Sequence, residues 1–258
     1  MINFSKPHIT KRTLKKINKQ FLTGNITLGE QVNKFEKLNA KILQSKYAVA
    51  TNSCSSALLI SLKYLDLKKN DEVITTPLTF VSTVHSIILS NAKPVLCDVN
   101  DDGNLSLKEI KKKITKKTKA LLIVNFGGNP CNVEEIYKFC KKKNIFLIQD
   151  CAHSFGSYYK NKPLSKYSDV SCYSFYPTKN ITTIEGGMIV TNNAKLYKFS
   201  KLFINNGIDK SYSQRKSKKK FWDYDVVSLG QKMHMTNIQA ILGMEQIKKF
   251  NQMQQKRK

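Results

Sequence analysis

The sequence predicts an α/β protein built on a mostly parallel central sheet. Two observations predict it. Short, apolar, β-branched runs recur along the chain, and helical patterns separate them. The runs are apolar throughout instead of alternating with polar residues, as expected of strands covered on both faces.

The elements follow in order. An amphipathic pattern covers Leu28–Ser45, with Val32, Phe35, Leu38 and Ile42 on one face. YAVATN (Tyr47–Asn52) reads as a strand, and SCSSALLISLKYL then turns helical behind small hydroxylated residues. Serines at a helix start cap it and leave first-turn N–H groups available. EVITT (Glu72–Thr76) is a strand, with a helix starting near Phe80. Strand PVLCDV (Pro94–Val99), helix Leu107–Ile114 and strand Ala120–Phe126 come next, then helix Val133–Asn144 and strand Ile145–Asp150. Beyond Asp150 the strands shorten, with Val170–Phe175 and Gly187–Asn192 flanking SFYPTKNITTIEGG. A helix at Ala194–Ile204 and a last one from Asn237 to Phe250 and on to the chain end complete the pattern.

Composition narrows the function. The chain has 258 residues, 41% of them hydrophobic and 24% charged, as in a globular protein. No run approaches the ~18 apolar residues of a membrane helix, and MINFSKPHIT lacks a signal-like apolar core, so a cytoplasmic protein without a membrane partner is expected. Six cysteines form no CxxC pair and four histidines are scattered, which predicts reduced thiols and no metal site. The net charge is +26, yet only Arg12, Arg215 and Arg257 among the 44 Lys and Arg are arginine. Nucleic-acid readers cluster their charge and lean on arginine. Here lysine is spread over the whole chain, so no nucleic-acid partner is expected, and the dense stretches Ser211–Lys220 and the terminal KRK read as exposed loop and tail.

Ligands of open α/β sheets sit at the carboxyl ends of strands. The helix start at Ser53–Ala57, Asp150, Ser174 and Lys179 all fall there, and Lys179 lies in a loop closed by Gly186 and Gly187. Taken singly, each has a bland reading: a strand-end aspartate is usually a turn cap, and a loop lysine is usually solvated. Together they make an anion cradle, a carboxylate and an amine. Pyridoxal phosphate (PLP) uses that set: a lysine to attach it, a carboxylate on its ring nitrogen and an anion site for its phosphate. Phe80, in TPLTF, either covers the ring or packs in the core.

The residues in register resemble the sugar-nucleotide aminotransferases of the DegT/DnrJ/StrS family. The matching stretches are ITLGEQVNKFE, ATNSCSSAL, VITTPLTFVSTVHSIILSNAKPVLCDV, DCAHSFGSYYKNKPL, SFYPTKNITTIEGGMIVTNN and MTNIQAILGMEQIKK. The resemblance implies the large domain of the three-layer aminotransferase fold type I over residues 1–236, with residues 1–30 as an N-terminal arm. It implies that residues 237–258 begin a helix leading to a C-terminal small domain missing here. Lys179 is implied as the cofactor's attachment point and proton carrier, Asp150 as the partner of the ring nitrogen, and His153 as a neighbour of the ring or its 3-oxygen. Ser174, Ser55 and Ser56 are implied at the phosphate, and Phe80 against the ring. The implied reaction moves an amino group from L-glutamate to a nucleotide-activated keto-sugar, in a homodimer, for amino sugars of surface polysaccharides or glycans. Related dehydratases carry histidine at the lysine position, so Lys179 favours transamination.

Three departures qualify the match. Cys54-Ser55 stands where the family often has Gly-Thr. His234, in GQKMHMTN, stands at an asparagine that reaches the partner chain's phosphate, and is a further candidate for cofactor binding. The chain stops where the family continues, which leaves as the alternative a truncated fragment that is inactive or needs a partner. That stop also predicts exposed Ile238, Ile241 and Ile247 on the last helix if nothing replaces the lost partner.

Overall fold

The computed structural model describes residues 6–210 and 222–256. The lysine-rich stretch Ser211–Lys220 and the last two residues of the KRK tail lie outside the described residues.

Seven strands form one sheet: β1 (Tyr47–Thr51), β2 (Glu72–Thr75), β3 (Lys93–Leu96), β4 (Thr118–Val124), β5 (Phe146–Asp150), β8 (Val170–Ser174) and β9 (Gly187–Thr191), in the order β1-β9-β8-β5-β4-β2-β3. The pairs from β8 to β3 are parallel; β9 runs antiparallel to both neighbours. A two-stranded hairpin, β6 (Tyr158–Tyr159) with β7 (Lys162–Pro163), stands apart. The mostly parallel α/β architecture is therefore the one that the apolar runs predict. Leu121, Leu122, Ile123, Leu147 and Ile148 are fully buried because helices cover both faces of the sheet.

Helices α2 (Glu30–Ile42), α3 (Cys54–Lys63), α4 (Val81–Leu89), α5 (Leu107–Lys113), α6 (Val133–Lys143) and α7 (Ala194–Phe203) fall within a few residues of their predicted spans. Several start on capping side chains. Ser53, Ser106 and Asn193 accept first-turn N–H groups of α3, α5 and α7. α8 (Asn237–Lys248) opens on a capping box between Thr236 and Gln239.

Four features differ from the sequence expectation. The first is a helix, α1 (Lys11–Leu22), within the N-terminal arm, to which the sequence reading assigns no element. It buries only Thr13, is capped by the Thr10 side chain and lies along α8, where Lys16 Nζ is 2.6 Å from Glu245 Oε1 and Arg12 approaches the other oxygen at 3.8 Å. The second follows from the first. Ile241 is buried, and Ile238 and Ile247 are half-buried, because α1 and α2 flank α8. The third lies in α2, whose buried face carries Val32, Phe35, Glu36 and Asn39, while Leu38 and Ile42 are only half-buried. Glu36 turns inward because its Oε1 accepts the Ala50 N–H at 2.9 Å and its carboxylate grips Lys201 Nζ at 3.0 and 3.1 Å.

The fourth is a break in the last helix at Lys249; a short α9 (Phe250–Gln255) follows. The break turns Phe250 edge-on to Phe155, with centroids 5.3 Å apart, and over Gly156, where an added Cβ would lie 2.3 Å from the Phe250 ring. Among the described residues no helix is long and apolar enough to cross a membrane.

Candidate active site

The site is built at the carboxyl ends of β5 and β8 and at the start of α3. Asp150 closes β5 and is 5% exposed. Its Oδ1 accepts the Ala152 N–H at 3.0 Å and its Oδ2 accepts the Thr83 hydroxyl at 3.0 Å. Burial pushes its carboxyl above the ordinary value; these two donors and the charges of His153 and Lys179 oppose that rise. Asp150 is thus no turn cap alone: it is a buried carboxylate facing an amine.

Lys179 sits in the β8–β9 loop, its backbone N–H bonded to the Tyr176 carbonyl at 3.0 Å. The loop is pinned where it leaves and rejoins the sheet. Phe175 N–H donates to the Gly186 carbonyl, and the Phe175 carbonyl accepts both the Thr183 N–H and the Thr182 hydroxyl. Below it Phe175 packs between Phe35 and Phe155, at 5.3 and 6.0 Å. Burial lowers the Lys179 ammonium from its ordinary value, and Asp150 and Cys54 oppose the drop. A lysine held this way gives up its proton more readily than a solvated one.

The start of α3 supplies the third part. Ser53 Oγ takes the Ser56 N–H at 3.1 Å, and Ser56 Oγ donates to Asn52 Oδ1 at 2.6 Å. Ser56 is therefore spent on the cap, whereas Ser55 is exposed at the helix mouth. The close approach of α3 to the sheet needs Gly187. A Cβ there would lie 2.4 Å from both the carbon and the oxygen of the Ser53 carbonyl. Cys54, at the first helical position, is carried into the same pocket; burial and then Asp150 push its thiol well up.

The other expected residues take varied places. His153 lies three residues past Asp150 and is exposed; burial of part of its ring and the Lys179 charge lower it, against Asp150. Ser174 ends β8, is 8% exposed, and its Oγ accepts the Tyr176 N–H at 3.4 Å. Phe80 is 75% exposed at the cap of α4, not core, and its carbonyl accepts the Thr83 N–H. His234 pairs with Thr51 through a backbone bridge at the end of β1, next to α3. Its Nδ1 is buried without a hydrogen-bond partner. The structure thus brings Lys179, Asp150 and His153 together and sets His234 at the helix-mouth side.

Sequence reasoning missed Thr83, which touches Asp150. Its signal is its place in the first turn of α4, three residues after Phe80. It also missed Ile184, a β-branched residue with φ of 74° in the lysine loop, 55% exposed. Left-handed backbone disfavours such a residue, so Ile184→Gly is expected to stabilise the chain by about 1 kcal/mol. Urea unfolding measures this, and an unchanged or lower midpoint would show that the loop is unstrained.

Comparisons with known proteins agree with this geometry. Residues 7–258 match the DegT/DnrJ/EryC1/StrS aminotransferase family. A UDP-4-amino-4,6-dideoxy-N-acetyl-beta-L-altrosamine transaminase of Campylobacter jejuni is 35% identical over 100% of this chain and 67% of its own length. The structure of Helicobacter pylori PseC, an aminotransferase of pseudoaminic acid biosynthesis, superposes with a TM-score of 0.90 and 33% identity, covering 96% of this chain and 66% of that one. A Streptococcus pneumoniae protein described as a sugar aminotransferase, in its PLP form, superposes with a TM-score of 0.87 at 28% identity, covering 97% of this chain and 67% of that one. The chain spans 58% to 67% of the length of the curated relatives it matches. On the match over nearly its whole length, and with a lysine and a buried aspartate facing each other at the sheet's carboxyl end, the chain belongs to the DegT/DnrJ/EryC1/StrS aminotransferase family.

Proposed function

We propose that this chain carries out PLP-dependent transfer of an amino group from L-glutamate to a nucleotide-activated keto-sugar, in the cytoplasm and as a homodimer, for amino-sugar synthesis toward a surface polysaccharide or glycan. The observation that carries the reading is the meeting of Lys179 with the buried Asp150 beside the open start of α3. The transaminase and polysaccharide names of the relatives support the substrate class. The homodimer is supported by the apolar stripe that α4 leaves exposed, Val81, Ile88 and Leu89. A complete set of cofactor-side groups favours an enzyme over an inactive fragment. In the same reading, residues 1–236 form the cofactor-binding domain and α8 leads onward from it.

The residues present fit PLP. The donor set is an amine, a carboxylate and a helix mouth, and Gly187 opens the space in which that mouth approaches the sheet. Cys54 and Ser55 N–H groups, first-turn orphans of α3, and the Ser55 and Ser174 hydroxyls would hold the phosphate. Ser56 supports them through the Ser53 cap. His234, whose backbone bridges to Thr51 beside this end, is a further candidate. Phe80, exposed at the start of α4, would lie against the ring, and His153 would stand beside it. Bound PLP supplies an electron-accepting ring for the carbon that exchanges its amino group. Asp150, when ionised, would keep the ring nitrogen's proton in place. Lys179 Nζ would attach the cofactor and, when released, would take up the proton from the donor's α-carbon. Its lowered proton affinity suits both tasks, since each needs the neutral amine.

The test is an absorbance spectrum of the chain with PLP, before and after L-glutamate. A yellow band that L-glutamate bleaches, and that a nucleotide-activated keto-sugar then restores with release of an amino-sugar, is the expected result. A band indifferent to L-glutamate would overturn the reading.

A further inference from the structure

A line of hydroxyls runs from the entry of α4 to the carboxylate that ends β5. Thr83, fully buried, places Oγ1 3.0 Å from Asp150 Oδ2, and Thr79 Oγ1 lies 2.8 Å from Thr83 Oγ1. The opposite oxygen, Oδ1, accepts the Ala152 N–H at 3.0 Å. A hydroxyl has one proton to give, and an ionised carboxylate has none. Thr83 therefore donates to Asp150, and Thr79 donates to Thr83. The direction of both hydrogen bonds is set by the charge on Asp150.

We propose that Thr83, backed by Thr79, is a positioning residue that holds the Asp150 carboxylate ionised and fixed in plane for the cofactor's ring nitrogen. This rests on the PLP reading above. Two donors on opposite oxygens stop rotation about the carboxylate's last torsion, which is otherwise broad. They also favour the charged form, which burial disfavours. The groups that face Asp150 are Lys179 from the β8–β9 loop, His153 beyond β5, and the thiols of Cys54 on α3, Cys151 beyond β5 and Cys172 on β8. The thiols, all raised by burial, carry no charge near neutral pH. Thr83 also ties the carboxylate to Phe80, whose carbonyl takes the Thr83 N–H at 3.0 Å. One helical turn thus sets both the ring cover and the ring-nitrogen partner.

The test uses the full chain and PLP titrations across pH, comparing wild type with Thr83→Val, Thr83→Ser, Thr79→Val and Asp150→Asn. Losing the donor raises the Asp150 pKa, so PLP affinity should fall away at a higher pH on acidification. Thr83→Val is expected to bind PLP about tenfold more weakly at neutral pH, the effect of one hydrogen bond to a charged group, with that acid midpoint moved up. Thr83→Ser should restore both, and Thr79→Val should move the midpoint the same way by less. If Asp150→Asn loses affinity while Thr83→Val keeps wild-type affinity and midpoint, the positioning role is overturned and the PLP reading stands. Equal losses in Thr83→Val and Thr83→Ser would overturn it too, since packing alone would explain them. If Asp150→Asn changes nothing, the PLP reading fails, and this proposal with it. Should Thr83→Val not fold, an unmoved midpoint in the half-buried Thr79→Val decides against the proposal.

Discussion

Lys179→Ala is expected to remove the yellow band formed with PLP and to lower turnover about 10²–10⁴-fold, the range for a positioned proton carrier. It should do so without unfolding the chain. Burial holds the Lys179 ammonium below its ordinary proton affinity, ahead of the opposing pull of Asp150 and Cys54. The folded state therefore disfavours the charged form. The sign follows: at pH values below the folded value the buried charge destabilises the fold, and the effect fades as pH rises through the folded and then the unfolded value. Alanine carries no such charge, so without cofactor the melting temperature of the variant at neutral pH should equal or exceed that of wild type. A variant that melts lower, or one that keeps the band, would show that Lys179 is structural. Asp150 works in the opposite sense. Its raised value means that the fold without cofactor loses stability as pH climbs through the ordinary carboxylate range toward the raised one. Lys179 and Asp150 are thus two charges that the fold tolerates because each partly neutralises the other.

Most of the sheet was legible because its signal is local. Leu121–Ile123 and Leu147–Ile148 are apolar runs of strand length, and Ser53, Ser106, Asn193 and Thr236 are caps written in single residues. What the sequence hid depends on partners far along the chain. α1 lies against α8, where Lys16 meets Glu245 more than 200 residues away; its Thr10 cap is a local signal, but its docking site is not. The helix break at Lys249 has neither Gly nor Pro; it arises because Phe250 packs against Phe155 and Gly156. In the site, Lys179 and Asp150 stood out as polar residues at strand ends. Thr83 did not, since a threonine in a first helical turn has many ordinary explanations. Only its contact with Asp150 gives it a role.

The glycine pair that follows Glu185 separates two kinds of necessity. Gly187 is the first residue of β9, in register with Thr51 of β1 and Ser174 of β8, so its backbone is fixed on both sides. An added Cβ would lie 2.4 Å from the Ser53 carbonyl carbon and oxygen and 2.6 Å from Cys54 N. All three are backbone atoms of the α3 start, which cannot swing aside as a side chain can. At Gly186 the obstacles are Thr183 Oγ1 at 2.1 Å and Met235 Cε at 2.7 Å, the ends of side chains that can change rotamer. Gly187→Ala is therefore expected to destabilise the chain by about 3 kcal/mol, the upper part of the overpacking range, and Gly186→Ala by about 1 kcal/mol. The functional consequence differs as well. Relief at position 187 requires α3 to back away from β9, carrying the Cys54 and Ser55 N–H groups with it, so PLP affinity should fall further than the loss of stability alone explains. Urea unfolding and PLP titration of both variants, at a temperature where each is folded, measure the two effects separately. Equal costs at the two positions would mean that α3 has room to move, and that the helix mouth is not held against the sheet by the absence of one methyl group.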